Sequence, residues 1–147
     1  MNIIEAMNMM RRLESLPEIH RAVDKAVIHA VHAYFSELYE IEVRDKSFIE
    51  SGKDDSEYLS KSVAEKTTIH KKYWNNPALF YVPCSMSSNP EHDWNLISNV
   101  EIFRNDDDDN QLFIFSARYP YSWGGSSNRV YMLRFIEDEL KFEHVFM

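Results

Sequence analysis

The residues of this 147-residue chain whose types and spacing suit chemistry are its histidines and acids. His20 and Asp24 stand four apart, one helical turn. A carboxylate there would fix an imidazole's tautomer and raise its basicity, as a general base requires, although the same spacing describes an ordinary surface pair. His144 is in phase with Leu140, Phe142 and Phe146 on a strand-like run. That phase directs it towards a core cavity as a further acid/base group, or into a structural hydrogen bond. His29 and His32 are three apart with no Cys or carboxylate at ligand spacing between them, so they read as solvated surface. Asp106, Asp108 and Asn110 fit the first ligand positions of a calcium loop, but Gln111 stands where Gly is needed and Ala117 where the bidentate Glu belongs. Cys84, in Val82-Pro-Cys-Ser, lacks the flanks of a thiol protease. No GxSxG, Walker A, GxGxxG or HExxH motif occurs, and the chain has three Gly. No metal, no cofactor and no catalytic residue is expected on these grounds, with His20, Asp24 and His144 as the alternative acid/base set.

Two other features suit binding. Asp106-Asp107-Asp108-Asp109 is a block of like charge. It reads either as a solvated, edge-protecting turn or as a cluster that speeds encounter with a basic partner. Tyr119-Pro-Tyr-Ser-Trp-Gly-Gly-Ser-Ser-Asn128 sets three rings beside two Gly between strand-like runs. Gly124 and Gly125 permit a sharp turn that presents Tyr121 and Trp123, either to cap the core or to anchor a protein partner, with Trp94 as a third anchor.

Composition narrows the class. With 16 Lys+Arg against 24 Asp+Glu, the net charge of −8 argues against a nucleic-acid binder, which needs many cations to neutralise phosphates. Residues 101–147 are the most acidic third, with 5 basic and 9 acidic side chains. Nine Phe, eight Tyr and three Trp suit a packed core, and a single Cys leaves no disulfide framework and favours a reducing compartment. The stretch from Met1 to Leu16 carries Glu5, Arg11, Arg12 and Glu14, unlike a signal peptide or membrane span. The expectation is a soluble, cytoplasmic protein that does not enter a membrane.

The elements that would position these residues divide at the middle of the chain. Ser15-Leu-Pro-Glu18 has the form of a capping box. After it, Ile19, Val23, Ala26, Ala30, Tyr34 and Ile41 form one stripe, and Ile28, Val31, Phe35 and Tyr39 a second. Arg21, Lys25, His29, His32, Ser36 and Glu40 fill the polar wedge. Ile3, Ile4, Met7, Met10 and Leu13 suit a shorter helix, and a capping pattern over Asp54 to Glu57 predicts a further helix over 55–74, with Leu59, Val63, His70, Tyr73 and Trp74 on one face. The period then changes to two. Strands are expected at Leu79 to Met86, Trp94 to Phe103, Leu112 to Tyr119, Arg129 to Ile136 and Leu140 to Phe146, the last two joined by Glu137-Asp138-Glu139. Helices first and hairpins after predict an α+β fold, with N-terminal helices packed on an antiparallel sheet. The whole, residues 1–147, reads as one domain, helical over 3–74 and a β-meander over 79–147.

This element order, and the run Val100-Glu-Ile-Phe-Arg, acidic turn, Leu112-Phe-Ile-Phe-Ser-Ala-Arg118, then Val130-Tyr-Met-Leu-Arg-Phe135, resembles the nuclear transport factor 2-like fold. The resemblance implies a curved, cone-like sheet wrapped around a long helix. One branch contains isomerases and dehydratases with an Asp or His–Asp base in the cone; here it implies an enzyme or small-molecule binder using His20, Asp24 and His144, with Tyr34, Tyr39 and Phe115 as walls. A second branch, the small acidic bacterial immunity proteins, is more similar to this chain. It implies a non-enzymatic antitoxin of bacterial competition, whose protein–protein interaction with a cognate, basic toxin uses Asp106 to Asp109, Tyr121, Trp123 and Trp94. Glu101 and Glu137 to Glu139 would add to the steering charge. A homodimer through the exposed sheet face is a third reading.

Overall fold

The computed structural model describes residues 21–76, 89–105, 112–121 and 123–146. The capping box at Ser15, the helix from Ile3 to Leu13, the strand from Leu79 to Met86, His20, Cys84 and Asp106 to Asp109 lie outside them. The chain is α+β: helices α1 (Arg21–Glu50) and α2 (Ser56–Tyr73), then a one-turn 3-10 helix at Trp94–Leu96, then strands β1 (Ser98–Asn105), β2 (Leu112–Pro120), β3 (Ser126–Ile136) and β4 (Glu139–Phe146). Two compact units emerge. One is helical, His32–Asn95; the other joins the start of α1, up to Val31, to the sheet from Leu96 onward.

In the sheet unit the four strands form an antiparallel meander in the order β1-β2-β3-β4, as period-two alternation and short connections require. Phe113 pairs with Leu133 and Phe115 with Tyr131, putting these side chains on one face with Phe142, which pairs with Leu133. Leu112, Ile114, Val130, Met132 and Phe103 form a buried cluster on the other face. Both faces of the two central strands are therefore apolar and buried, and Arg118 is where β2 first reaches solvent. β3 turns into β4 through Glu137 and Asp138, both at positive φ (50° and 68°), as a two-residue hairpin with the twist of its strands demands.

Two strand expectations are corrected. Trp94 does not begin a strand: Asp93 Oδ1 accepts the Asn95 N–H at 3.0 Å, a side-chain turn that winds Trp94–Leu96 into a 3-10 helix and delays β1 to Ser98. His144 is not in phase with Phe142. Met132 pairs with His144 while Leu133 pairs with Phe142, so Glu143 is one residue too many for the ladder. This bulge turns His144 onto the Met132 face, where it is exposed with its ring 4.4 Å from that of Phe146.

The helical unit is an antiparallel helix pair. α1 ends with Gly52 at φ 70°, its N–H bonded to the Ile49 carbonyl. α2 is capped by Asp55, one residue later than the pattern suggests, because its Oδ1 accepts from the Glu57 N–H (3.0 Å) and the Tyr58 N–H (3.4 Å). On α1 the wedge residues Lys25, His29, His32, Ser36 and Glu40 are exposed, while Tyr34, Phe35, Leu38, Ile41 and Asp45 are buried. The matching face of α2 is polar: Ser62, Lys66 and His70 are buried, whereas Leu59 is exposed.

Asp45 is the reason. Its carboxylate takes the Lys66 ammonium at 2.7 Å, the Ser62 hydroxyl at 2.8 and 3.0 Å and the Tyr58 hydroxyl at 3.2 Å. The two charged side chains are 1% and 5% exposed. Further along, His70 Nδ1 donates to the Lys66 carbonyl (3.1 Å), which can only accept, so in the neutral ring Nε2 accepts the Tyr34 hydroxyl (3.3 Å). Phe48 stacks on Tyr58 with ring centroids 4.1 Å apart. Removing one buried charge alone strands the other. Asp45→Ala and Lys66→Met are each expected to cost about 3–5 kcal/mol in denaturant unfolding, and the double variant markedly less than the sum.

Candidate functional site

The hairpin loop between β2 and β3 lies in the sheet unit. Pro120 pairs with Ser126, leaving five residues to close the turn. The Tyr121 N–H donates to the Gly125 carbonyl (3.0 Å) and the Gly124 N–H to the Tyr121 carbonyl (3.2 Å). Gly124 and Gly125 adopt φ of 100° and 79°, which side chains resist. The tight turn brings Tyr121 and Trp123 together, rings nearly parallel (9°) with centroids 4.8 Å apart. Trp123 is 78% exposed and Tyr121 41%. The third ring, Tyr119, does the opposite: it is buried beneath the guanidinium of Arg129, 3.9 Å from the ring centre.

The helical unit carries an open groove of about 510 Å³. Its α1 side is made by His32, Ser36, Tyr39, Glu40, Val43 and Arg44, and its other side by His92 to Asn95. Trp94 is half-buried, its ring edge-on to His32 (4.9 Å) and Phe35 (5.8 Å). Its neighbour His92 is held by Glu42. Ring Nδ1 lies 3.2 Å from both carboxylate oxygens, and the backbone N–H groups of Glu91 (3.0 Å) and His92 (3.1 Å) donate to the same carboxylate. A carboxylate facing Nδ1 keeps the proton there and leaves Nε2 as the acceptor of the neutral ring. The His92 ring also meets Phe35 (5.1 Å) and Tyr34 (5.7 Å) edge-on.

Charges at the groove are unequal. The hydrogen bond to Glu65 holds the Arg44 guanidinium above its ordinary value, more than burial lowers it, so this cation is already committed. Beyond the groove, burial pushes the Glu37 carboxyl up, but hydrogen bonds from Lys72 and Tyr73 together outweigh it and leave the group below its usual value. Glu37 Oε1 stands 2.9 Å from Lys72 Nζ, a second tie between the helices.

Of the residues singled out by sequence, Tyr121 and Trp123 are brought together in the sheet unit, and Trp94 lies in the helical unit. Asp24 sits half-buried in the first turn of α1, while His20 and the four Asp fall outside the described residues. Of the three wall residues, Tyr39 lines the groove, Tyr34 is buried behind it on His70, and Phe115 is fully buried in the sheet unit. The pair His92–Glu42 escaped the sequence reading because its members are 50 residues apart and neither has a telling neighbour. Among the described residues, no group of three or more His, Cys, Asp and Glu is placed to hold a metal ion, and no helix is long and apolar enough to cross a membrane. Comparison of the chain with protein-family models, curated proteins and solved structures finds no match.

Glu42 anchors the 91–95 segment through three N–H groups, each worth about 1.5–3 kcal/mol when the acceptor is charged. Glu42→Ala is therefore expected to speed amide hydrogen exchange at Glu91 and His92 by at least about tenfold, leaving β2 and β3 protected.

Proposed function

We propose that this chain is a non-enzymatic binding protein of the immunity class, built on a nuclear transport factor 2-like fold, that neutralises a cognate toxin domain in the cytoplasm. The observation that carries the reading is Trp123, 78% exposed on a glycine-turned hairpin and stacked against Tyr121. A soluble chain gains nothing by holding an indole in water. A partner gains a rigid aromatic anchor whose ordering cost is already met by the turn. The element order, two helices and then an antiparallel meander, supports the fold assignment. The net charge of −8 supports a basic partner, and the lone Cys84 supports a reducing compartment.

The test is whether the adjacent gene encodes a toxin-like domain, whether this chain binds its product, and whether it rescues cells that express it. Trp123→Ala is expected to weaken that affinity by roughly thirtyfold, the signature of a central aromatic anchor, with an unchanged melting temperature. Failure to bind or rescue would overturn the reading. Replacing Asp106 to Asp109 by Asn is expected to slow association and flatten its salt dependence while dissociation holds; unchanged kinetics would remove that turn from the mechanism.

A second reading, a small-ligand or acid–base site, is favoured by the imidazole of His92 held by Glu42 beside a 510 Å³ groove. A ligand that raises the melting temperature of the chain but not of its His92→Gln variant would carry it.

A further inference from the structure

We infer that the groove of the helical unit receives the cationic end of a basic side chain, an Arg or Lys of the protein partner. The inference rests on the binding reading above and names a second point of attachment.

The chemistry of the walls selects the ligand. Two aromatic side chains, Trp94 and Tyr39, line the groove, and the ring contacts of Trp94 with His32 and Phe35 fix the orientation of its indole. Aromatic faces attract cations, guanidinium most of all because it is planar and weakly hydrated. Two carboxylates share the same lining. Glu40 is exposed on the polar wedge of α1; Asp93 stands in the opposite segment and spends Oδ1 on the Asn95 N–H. Among the described residues of the lining the permanent cation is Arg44, which already pairs with Glu65 outside it. Among the described residues, an anion would therefore meet Glu40 and Asp93 with no uncommitted permanent cation in the lining, whereas a guanidinium would meet rings and counter-charge together. The groove is open to solvent rather than enclosed. That shape suits the end of a long side chain entering from another protein better than a small molecule needing enclosure.

The orientation of the site has a structural cause. Glu42 binds the Glu91 and His92 N–H groups and His92 Nδ1, which seats the segment bearing Trp94 against α1. Glu40 lies two residues away from Glu42, so it reaches a different side of the helix and stays available to solvent.

The experiment is an NMR titration of the full chain with N-acetyl-arginine methylamide, against N-acetyl-citrulline methylamide, which has the same shape without the charge. Saturable shifts are expected at the Trp94 indole N–H and the Asn95 amide. The citrulline compound and the Glu40→Gln variant should each bind at least about threefold more weakly, and added salt should weaken the arginine compound further. Equal binding of the two compounds, shifts away from the groove, or no shifts at all would overturn the inference. Trp123→Ala should leave this titration unchanged. Groove binding that persists when the toxin is not bound sinks the hairpin reading alone. Trp123-dependent toxin binding with an indifferent groove sinks this inference alone.

Discussion

The helical unit depends on a charge taken out of water. Asp45 and Lys66, 1% and 5% exposed, can be buried only because the carboxylate also accepts from Ser62 and Tyr58. An ion pair of this kind adds little stability over a good apolar contact, but it is intolerant of error. Sliding α2 by one turn, about 5.4 Å, would separate Lys66 from its counter-ion and leave two desolvated charges. The pair thus sets the register in which Tyr34 meets His70, Phe48 meets Tyr58 and Lys72 meets Glu37. Register in turn fixes which face of α1 is left uncovered by α2, and on that face lie Glu42 and the groove residues.

The sheet was readable from sequence because its two signals are local. Alternation along Leu112 to Tyr119 puts Phe113 and Phe115 on one face of β2 and Leu112 and Ile114 on the other, and the register agrees. A local signal is lost wherever a strand gains a residue. Nothing in Phe142-Glu143-His144 marks the bulge, so a pattern of strict twos carried His144 into the wrong phase. The start of β1 was missed for a related reason: the Asp93 side chain, not a hydrophobic pattern, decides the conformation of Trp94 to Leu96.

α2 shows the opposite weakness. The apolar-stripe reading joins Leu59, Val63 and Tyr73 to His70 and Trp74; His70 and Trp74 are buried, yet Leu59 is exposed and the buried face is completed by Ser62 and Lys66. A signal was present in the spacing of four through Tyr58, Ser62, Lys66, His70 and Trp74, with Asp45 four residues beyond Ile41 on the apolar side of α1. Side chains that hydrogen-bond across two helices carry no hydrophobicity, so only pairing them with partners on the other helix identifies them. The same holds for Glu42 and His92, while the Tyr121–Trp123 loop was legible because Gly-Gly beside aromatic residues is a local turn signature.

Charge and aromatic surface have different ranges, and that difference assigns them different work in binding. At physiological ionic strength a cluster of acids acts over roughly 8 Å and then fades, so it can gather and orient a basic partner but holds it weakly once bound. A ring must touch its partner to act at all, and it then excludes water over its whole area. The stack of Trp123 on Tyr121 restricts both rings before any partner arrives, so less freedom remains to be lost on contact. In the groove the two effects meet at one place: Trp94 and Tyr39 supply the low-dielectric wall against which a carboxylate such as Glu40 attracts a cation more strongly than it would in open water.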